Sequence, residues 1–482
     1  LEVLSRREAL IGALAAGIAG DGVAAILPKS PAKSDLVDVI IIGAGLSGLG
    51  SARLLEEQGL KTLILEGRQR VGGRVYTMSG LPGHPEVGAN TMSPGYGRMI
   101  DAAGWAGVPL VDIQPRQILT QKQELVLGGK IIPRDQWAAS PRNPFPDDQK
   151  TVMPWDYVNR QIAQHNPLKS YADWIAPASK GLDISVHDFL KGRGASDAAI
   201  DLAYNTVVSY GTSAHDVSAL MLEFIDGWIT ALAPSGNKQL AAVNGNQRIP
   251  EAMAAKLKSD ILLGKKVVAI DAEKDAMSVR CADGTAYRGK RVICAMPFST
   301  LRAVKITPAL TGAQAQAVRA LRYQLLTLIF LIAKKPFWEE DGLSPSMWTD
   351  GPALWVRAQH FGATEAEVTG LTVHARGRSA TDLDGLGPRA AGKRVIAAIE
   401  QIRPAAKGTL EVAGLHSWGQ DPFSAGDWAI FGPGQPTGLV PVMARPHGNL
   451  FFCGEHTATG SRGMEAAMES AERVSIEVLQ SI

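Results

Sequence analysis

The chain has 482 residues, room for two or three domains at ~100–200 residues each. Its 49 Lys and Arg against 47 Asp and Glu leave a net charge of +2, which gives no footprint for nucleic acid and no like-charge tail. Three cysteines, Cys281, Cys294 and Cys453, lack metal-ligand or C-x-x-C spacing; they exclude a disulfide framework and read as buried thiols in a globular protein that is 45% hydrophobic.

Ser5-Arg6-Arg7 precedes a short apolar stretch, Ile11–Gly20, which Asp21 interrupts. A twin arginine ahead of such a segment is the pattern of a bacterial Tat export signal, and the segment is too short for a stable membrane span of ~20 residues. A periplasmic location is the expectation, with the cytoplasm as the alternative, and residues 1–35 are assigned to signal and linker.

The most informative stretch follows. Val39 to Ile42 are four β-branched residues, the composition of a strand buried on both faces. Gly43, Gly45 and Gly48 then give G-x-G-x-x-G around Leu46 and Ser47 and open a helical run to Gly59; a second strand, Lys61–Leu65, ends on Glu66. Gly43 permits the tight turn, Gly45 lets a pyrophosphate approach the backbone, and Gly48 lets helix and strand pack closely. The phosphates would sit at the helix N-terminus, and Glu66, 18 residues after Gly48, is placed to accept hydrogen bonds from a ribose.

Next comes Glu66-Gly67-Arg68-Gln-Arg-Val-Gly72-Gly73-Arg74. Glu-x-Arg-x-x-x-Gly-Gly-Arg after a Rossmann unit resembles the flavin amine oxidase family, relatives of monoamine and polyamine oxidases that include exported, nicotine-oxidoreductase-type bacterial members. The paired glycines allow backbone to lie against a flat ring or phosphate, and Arg68 and Arg74 supply cations for a diphosphate. The resemblance implies FAD as cofactor, with further contacts from Val87, Gly88, Ala89 and Asn90, from Val267 bracketing the adenine, and from Gly454, Glu455, Gly463 and Met464. It also implies an α/β fold: a Rossmann-like FAD-binding domain assembled from 36–97, 240–305 and 421–482, with a discontinuous α+β substrate domain from 98–239 and 306–420.

Between those landmarks the pattern predicts helices at Val186–Leu190 and Ala198–Ser209 and a breaker at Pro141–Asp148, while Met221–Trp228 carries mixed apolar spacing that fits a helical insertion covering a cleft. Strands are expected at Lys266–Ile270, in a hairpin over Met277–Arg288, at Arg291–Pro297 and at Tyr323–Leu331. Gly385–Gly392 reads as a loop before an amphipathic helix at Arg394–Arg403.

Four departures from the family bear on chemistry. Leu328 falls where relatives carry a lysine thought to assist the reaction with oxygen, so a dehydrogenase passing electrons to a carrier such as a cytochrome stands beside an oxidase using O2. Trp428 matches one of the paired aromatics that face each other across the flavin; the other falls at Gly463, leaving half the cage without a ring. Asn90-Thr91-Met92 occupies the stretch where amino-acid oxidases place a carboxylate-binding arginine, so such a clamp would have to come from elsewhere. Asp427 stands where monoamine oxidases attach flavin through a cysteine, so the FAD is expected to be non-covalent.

No G-x-S-x-G, H-E-x-x-H or Walker pattern competes. The expected reaction is oxidation of an amine by hydride transfer from its α-carbon to flavin N5, giving an imine that hydrolyses. Trp428, Leu328 and Gly463 are the residues expected to shape it. The alternatives are an L-amino-acid oxidase, a desaturase or isomerase of a hydrophobic substrate, and a non-catalytic flavoprotein. Expected partners are a small-molecule amine and O2 or an electron carrier, with a homodimer as the oligomer considered.

Overall fold

The computed structural model describes residues 36–482; the twin-arginine stretch lies outside them. Val37–Ile42 forms the central strand of an eight-stranded sheet, with Val39, Ile40 and Ile41 fully buried. It runs parallel to Thr62–Leu65 on one side and to the second half of Ala286–Cys294 on the other. Asp260–Leu262 and Leu450–Phe452 extend this parallel core. The sheet is thus gathered from three distant parts of the sequence. Helix Leu46–Glu57 covers it and is itself covered by helix Gly463–Gln480, the two meeting where a Cβ on Gly50 would lie 2.9 Å from Met468.

The hairpin and the strand expected near 277–297 share one long element. Met277–Cys281 pairs with residues 286–289 of Ala286–Cys294, whose remaining residues join the parallel core. The strand expected to end at Pro297 ends at Cys294, the residue in register with Ile42.

A second sheet of seven strands runs in the order Leu410–Ser417, Leu326–Ala333, Gly370–Arg376, Trp355–Gln359, Ser346–Thr349, Gln123–Leu127, Lys130–Ile132. One face is apolar: Ile329, Leu331, Val356, Leu371 and Val373 pack against Leu383, Val395 and Ile399 of helices Arg378–Leu386 and Pro388–Ile402. Those helices correct the loop expected at Gly385–Gly392. The break is Gly387 at φ +73°, and Pro388 starts the second helix, where its missing N–H costs nothing.

The block from 134 to 235 is helical, with Trp174 stacked on Phe224 at 4.6 Å and its Nε1 donating to Thr459 O at 2.9 Å. The helix expected at Ala198–Ser209 shortens to Asp197–Ile200 and continues as a π-helical turn, Asp201–Asn205. Tyr323–Leu331 is interrupted: Arg322–Tyr323 pairs with Ala429–Ile430, and the sheet strand begins at Leu326. All three cysteines are buried and unpaired. Among the described residues no helix is long and apolar enough to cross a membrane.

Candidate active site

The site grows from the turn after the central strand. Gly43 takes φ +110° and donates its N–H to Leu65 O at 2.8 Å, a conformation that favours glycine. Gly45 then caps helix Leu46–Glu57 without a side chain, and a Cβ there would meet nothing within 4 Å, because the residue borders open space. Gly48 does not line the cavity; a Cβ on it would sit 1.9 Å from Gly43 O, so its part is to bring helix and strand together.

Glu66 fixes this turn from the neighbouring strand. Its Oε2 accepts from Ala44 N and its Oε1 from Arg68 N, both at 2.8 Å. Arg68 and Arg74 do not stand as free cations. Arg68 pairs with Asp421 at 2.7 Å and donates to Ser424 at 2.6 Å; Arg74 pairs with Glu455 at 3.3 Å and donates to Asp427 O. They therefore staple the first flavin-type motif to the closing segment 421–455 while lining the same cavity.

That cavity measures about 720 Å³. It is bordered by Gly43, Gly45, Leu46, Ser47, Glu66, Gly67, Arg68, Gly73, Arg74, Gly88, Ala89, Asn90, Val267, Gly454, Glu455, Gly463 and Met464, and at one end by Trp428, Arg376, Asp427 and Tyr96. The structure thus gathers most residues singled out from the sequence around one space.

Two others stand behind the wall. Val87 is buried and its carbonyl accepts from Trp418 Nε1 at 2.9 Å. Leu328 is buried in a cluster with Val87, Phe330 and Trp418, with Trp428 packed against it. Leu328 is not among the residues that border the cavity.

The wall at Gly88 is closely built. A Cβ there would lie 1.9 Å from Arg74 O and 3.2 Å from Trp418. Asn246 holds the next two carbonyls, of Ala89 at 3.1 Å and Asn90 at 2.9 Å, and its own N–H donates to Glu86 at 2.6 Å. Burial pushes the Glu86 carboxyl up to about 8 despite the hydrogen bonds from Asn246 and Thr77.

At the far end, Trp428 lies 5.9 Å from Tyr210, edge to face, and its Nε1 has no partner among the described residues. Gly463 takes φ +62°, and a Cβ on it would meet nothing within 4 Å, so this stretch of wall carries no ring. Gly463 also starts the last helix, so two helix N-termini open onto the cavity. Burial pushes the Asp427 carboxyl up to about 7, against the pull of Arg74.

Sequence reasoning missed Tyr96, Tyr210, Arg357 and Arg376. A signal existed for the arginines: Trp355-Val-Arg357 and Thr372-Val-His374-Ala-Arg376 alternate polar and apolar residues with period two, so one face of each strand is polar.

The family described as flavin containing amine oxidoreductase matches residues 46–479. A flavin-containing amine oxidase of Danio rerio is 26% identical, over 92% of this chain and 85% of its own length. Flavin-containing amine oxidase B of Homo sapiens is 25% identical, over 93% and 87%. Among solved structures, cyclohexylamine oxidase from Brevibacterium oxydans superposes with a TM-score of 0.72 at 18% identity, covering 93% of this chain and 99% of that one. Wild-type putrescine oxidase bound to putrescine gives 0.70 at 20% identity, with 92% and 99% covered. At those identities the structural likeness establishes the fold.

Proposed function

Because the chain belongs to the flavin-containing amine oxidoreductase family and is an FAD-dependent enzyme that oxidises amines at the C–N bond, we propose that the cavity from Gly45 to Trp428 holds FAD non-covalently and presents the amine beside Trp428. The observation that carries this reading is the single cavity joining a glycine-bordered helix N-terminus to an aromatic wall.

The residues present fit such a cofactor. Gly45 and Gly463 leave open space where side chains would intrude, and Glu66 stands where a ribose would be held. The helix starting at Leu46 would receive the diphosphate, and the one starting at Gly463 would favour negative charge on the ring. Val267 would border the adenine, and Gly88 to Asn90 the ring's edge. We assign 36–97, 240–305 and 421–482 to cofactor binding, and 98–239 and 306–420 to substrate.

When bound, FAD supplies the two-electron oxidation of the amine. The chain's own contribution is positioning. Trp428 offers the negative face of its ring to an amine, and its buried edge keeps water from that side. The open wall at Gly463 admits a wider substrate than a two-ring cage would. Aspartate at 427 offers no thiol for a covalent link to flavin. Acid precipitation tests that point: FAD should appear quantitatively in the supernatant, and yellow precipitate would contradict it.

Leu328, an apolar side chain in the layer behind the cavity wall, would offer no ammonium toward bound FAD, which supports a carrier such as a cytochrome rather than O2 as the electron acceptor. The twin-arginine pattern supports a periplasmic setting for that exchange. Mixing reduced enzyme with aerated buffer in a stopped-flow cell tests it, and a fast return of the oxidised spectrum would defeat the carrier reading.

A further inference from the structure

The second sheet turns its polar face away from its packing helices, and several polar atoms on or beside that face lack partners among the described residues. Trp355 is in register with His374, which is in register with Leu328, and Leu328 with His416, so these side chains project to one side. Arg357 and Arg376, each two residues along its strand, project the same way. Buried Arg376 Nε, His374 Nδ1, His416 Nε2 and Trp428 Nε1 all have no hydrogen-bond partner among the described residues.

The two guanidiniums form a ladder with the aromatics. Arg357 Cζ and Arg376 Cζ each lie 5.0 Å from the Trp355 ring, and Arg376 Cζ lies 5.5 Å from the Trp428 ring. Trp355 is fixed by its Nε1 donating to Gln123 at 2.8 Å. Arg357 faces another cation, Arg376, and burial pushes its guanidinium down to about 10. Arg376 faces Tyr210 and Asp427, but no carboxylate comes within 4.0 Å of it among the described residues. Asp427, pushed up to about 7, is also a weak counter-ion. Two desolvated cations without a carboxylate destabilise a fold, so the place of Arg376 on the cavity wall calls for an anion from outside.

We propose that the substrate is an amine that also carries a carboxylate, and that Arg376, with Arg357 behind it, binds this carboxylate beside Trp428. The proposal rests on the amine-oxidation reading of the same cavity. It also answers the missing arginine at Asn90-Thr91-Met92, since the clamp comes from the sheet instead. The short separation of Arg376 and Trp428 requires acid and amine to be only a few bonds apart. A simple diammonium compound would meet repulsion here.

The test uses FAD-loaded enzyme under anaerobic conditions with matched probes: phenylalanine against phenethylamine, and 4-aminobutyrate against butylamine and 1,4-diaminobutane. Benzoate, which cannot be oxidised, is titrated by its perturbation of the flavin spectrum. At least one carboxylate-bearing amine should reduce flavin about tenfold more efficiently than its uncharged partner, and benzoate should bind. Arg376→Met should cut the carboxylate preference and benzoate affinity by about 10- to 100-fold, the range for losing a charged hydrogen-bonded pair, with Arg376→Lys recovering part. If Arg376→Met does not fold, the wild-type comparison alone decides. Uncharged amines or the diamine reducing flavin at least as well, with benzoate silent, would overturn the proposal and leave amine oxidation intact. Benzoate binding that depends on Arg376, with no amine of either kind reducing flavin, would keep the anion site and sink the amine reading.

Discussion

Replacing Glu86 with glutamine tests how the cavity wall is held. Glu86 accepts from Asn246 N at 2.6 Å and from Thr77 Oγ1 at 2.8 Å, and Asn246 in turn holds the carbonyls of Ala89 and Asn90. Burial pushes its carboxyl up from 4.5 to about 8. A carboxyl raised in the folded state binds a proton there that the unfolded chain has released. Its stabilising contribution is complete below about pH 4.5 and is lost as pH climbs through the folded value near 8. At ~1.4 kcal/mol per unit, the full span is worth up to about 5 kcal/mol. With ~2.1 cal/mol/K of unfolding entropy per residue, each kcal/mol moves the melting temperature of a chain this long by about 1 °C. A glutamine reproduces the protonated pattern, with Oε1 accepting from Asn246 N and Nε2 donating to Thr77 Oγ1. Thermal unfolding of wild type and Glu86→Gln between pH 5 and 8 should therefore diverge, the variant gaining up to about 4 °C relative to wild type by pH 8. Parallel profiles would show that Glu86 is ionised at little cost, and the reasoning would fail.

Three further substitutions probe the cavity. Glu66→Gln leaves one of the two N–H donors, Ala44 or Arg68, facing an amide NH₂; loss of that bond should weaken FAD binding by about 5- to 100-fold in equilibrium dialysis. Unchanged affinity would show that the turn holds itself. Gly88→Ala drives a methyl into Arg74 O, and an overpacking cost of ~1–3 kcal/mol should appear as lower FAD content and a lower melting temperature. Full flavin loading would contradict that. Leu328→Lys puts an ammonium behind the wall beside Val87 and Trp428, and its longer chain should speed flavin reoxidation by air at a cost in stability. An unchanged rate would remove Leu328 from the account of the acceptor.

The parts legible in the sequence were those where backbone geometry dictates residue type. Gly43 is needed for its positive φ, Gly48 because a Cβ would collide with Gly43 O, and Gly88 because one would collide with Arg74 O. Such constraints leave glycines at fixed spacing. Arg68 and Arg74 were assigned to phosphate because sequence shows charge but not partners; Asp421 and Glu455 come from more than 350 positions away. Arg357 and Arg376 went unnoticed for a related reason. Their meaning depends on strand register, which brings them to one face and leaves them there without carboxylates among the described residues. Leu328 was aligned to a reacting position by neighbouring motifs, yet small shifts in depth decide whether a side chain reaches a cavity or stops one layer behind it.

The central claim is that this cavity brings an amine to bound FAD beside Trp428. Anaerobic titration of the FAD-loaded enzyme with amines, read by the loss of the oxidised flavin absorbance, tests it most directly. At least one amine should bleach the flavin completely in a two-electron step, and Trp428→Ala should slow that bleaching by one to two orders of magnitude, about 1–3 kcal/mol of lost positioning. A flavin that stays oxidised with every amine, uncharged or carboxylate-bearing, would contradict the account.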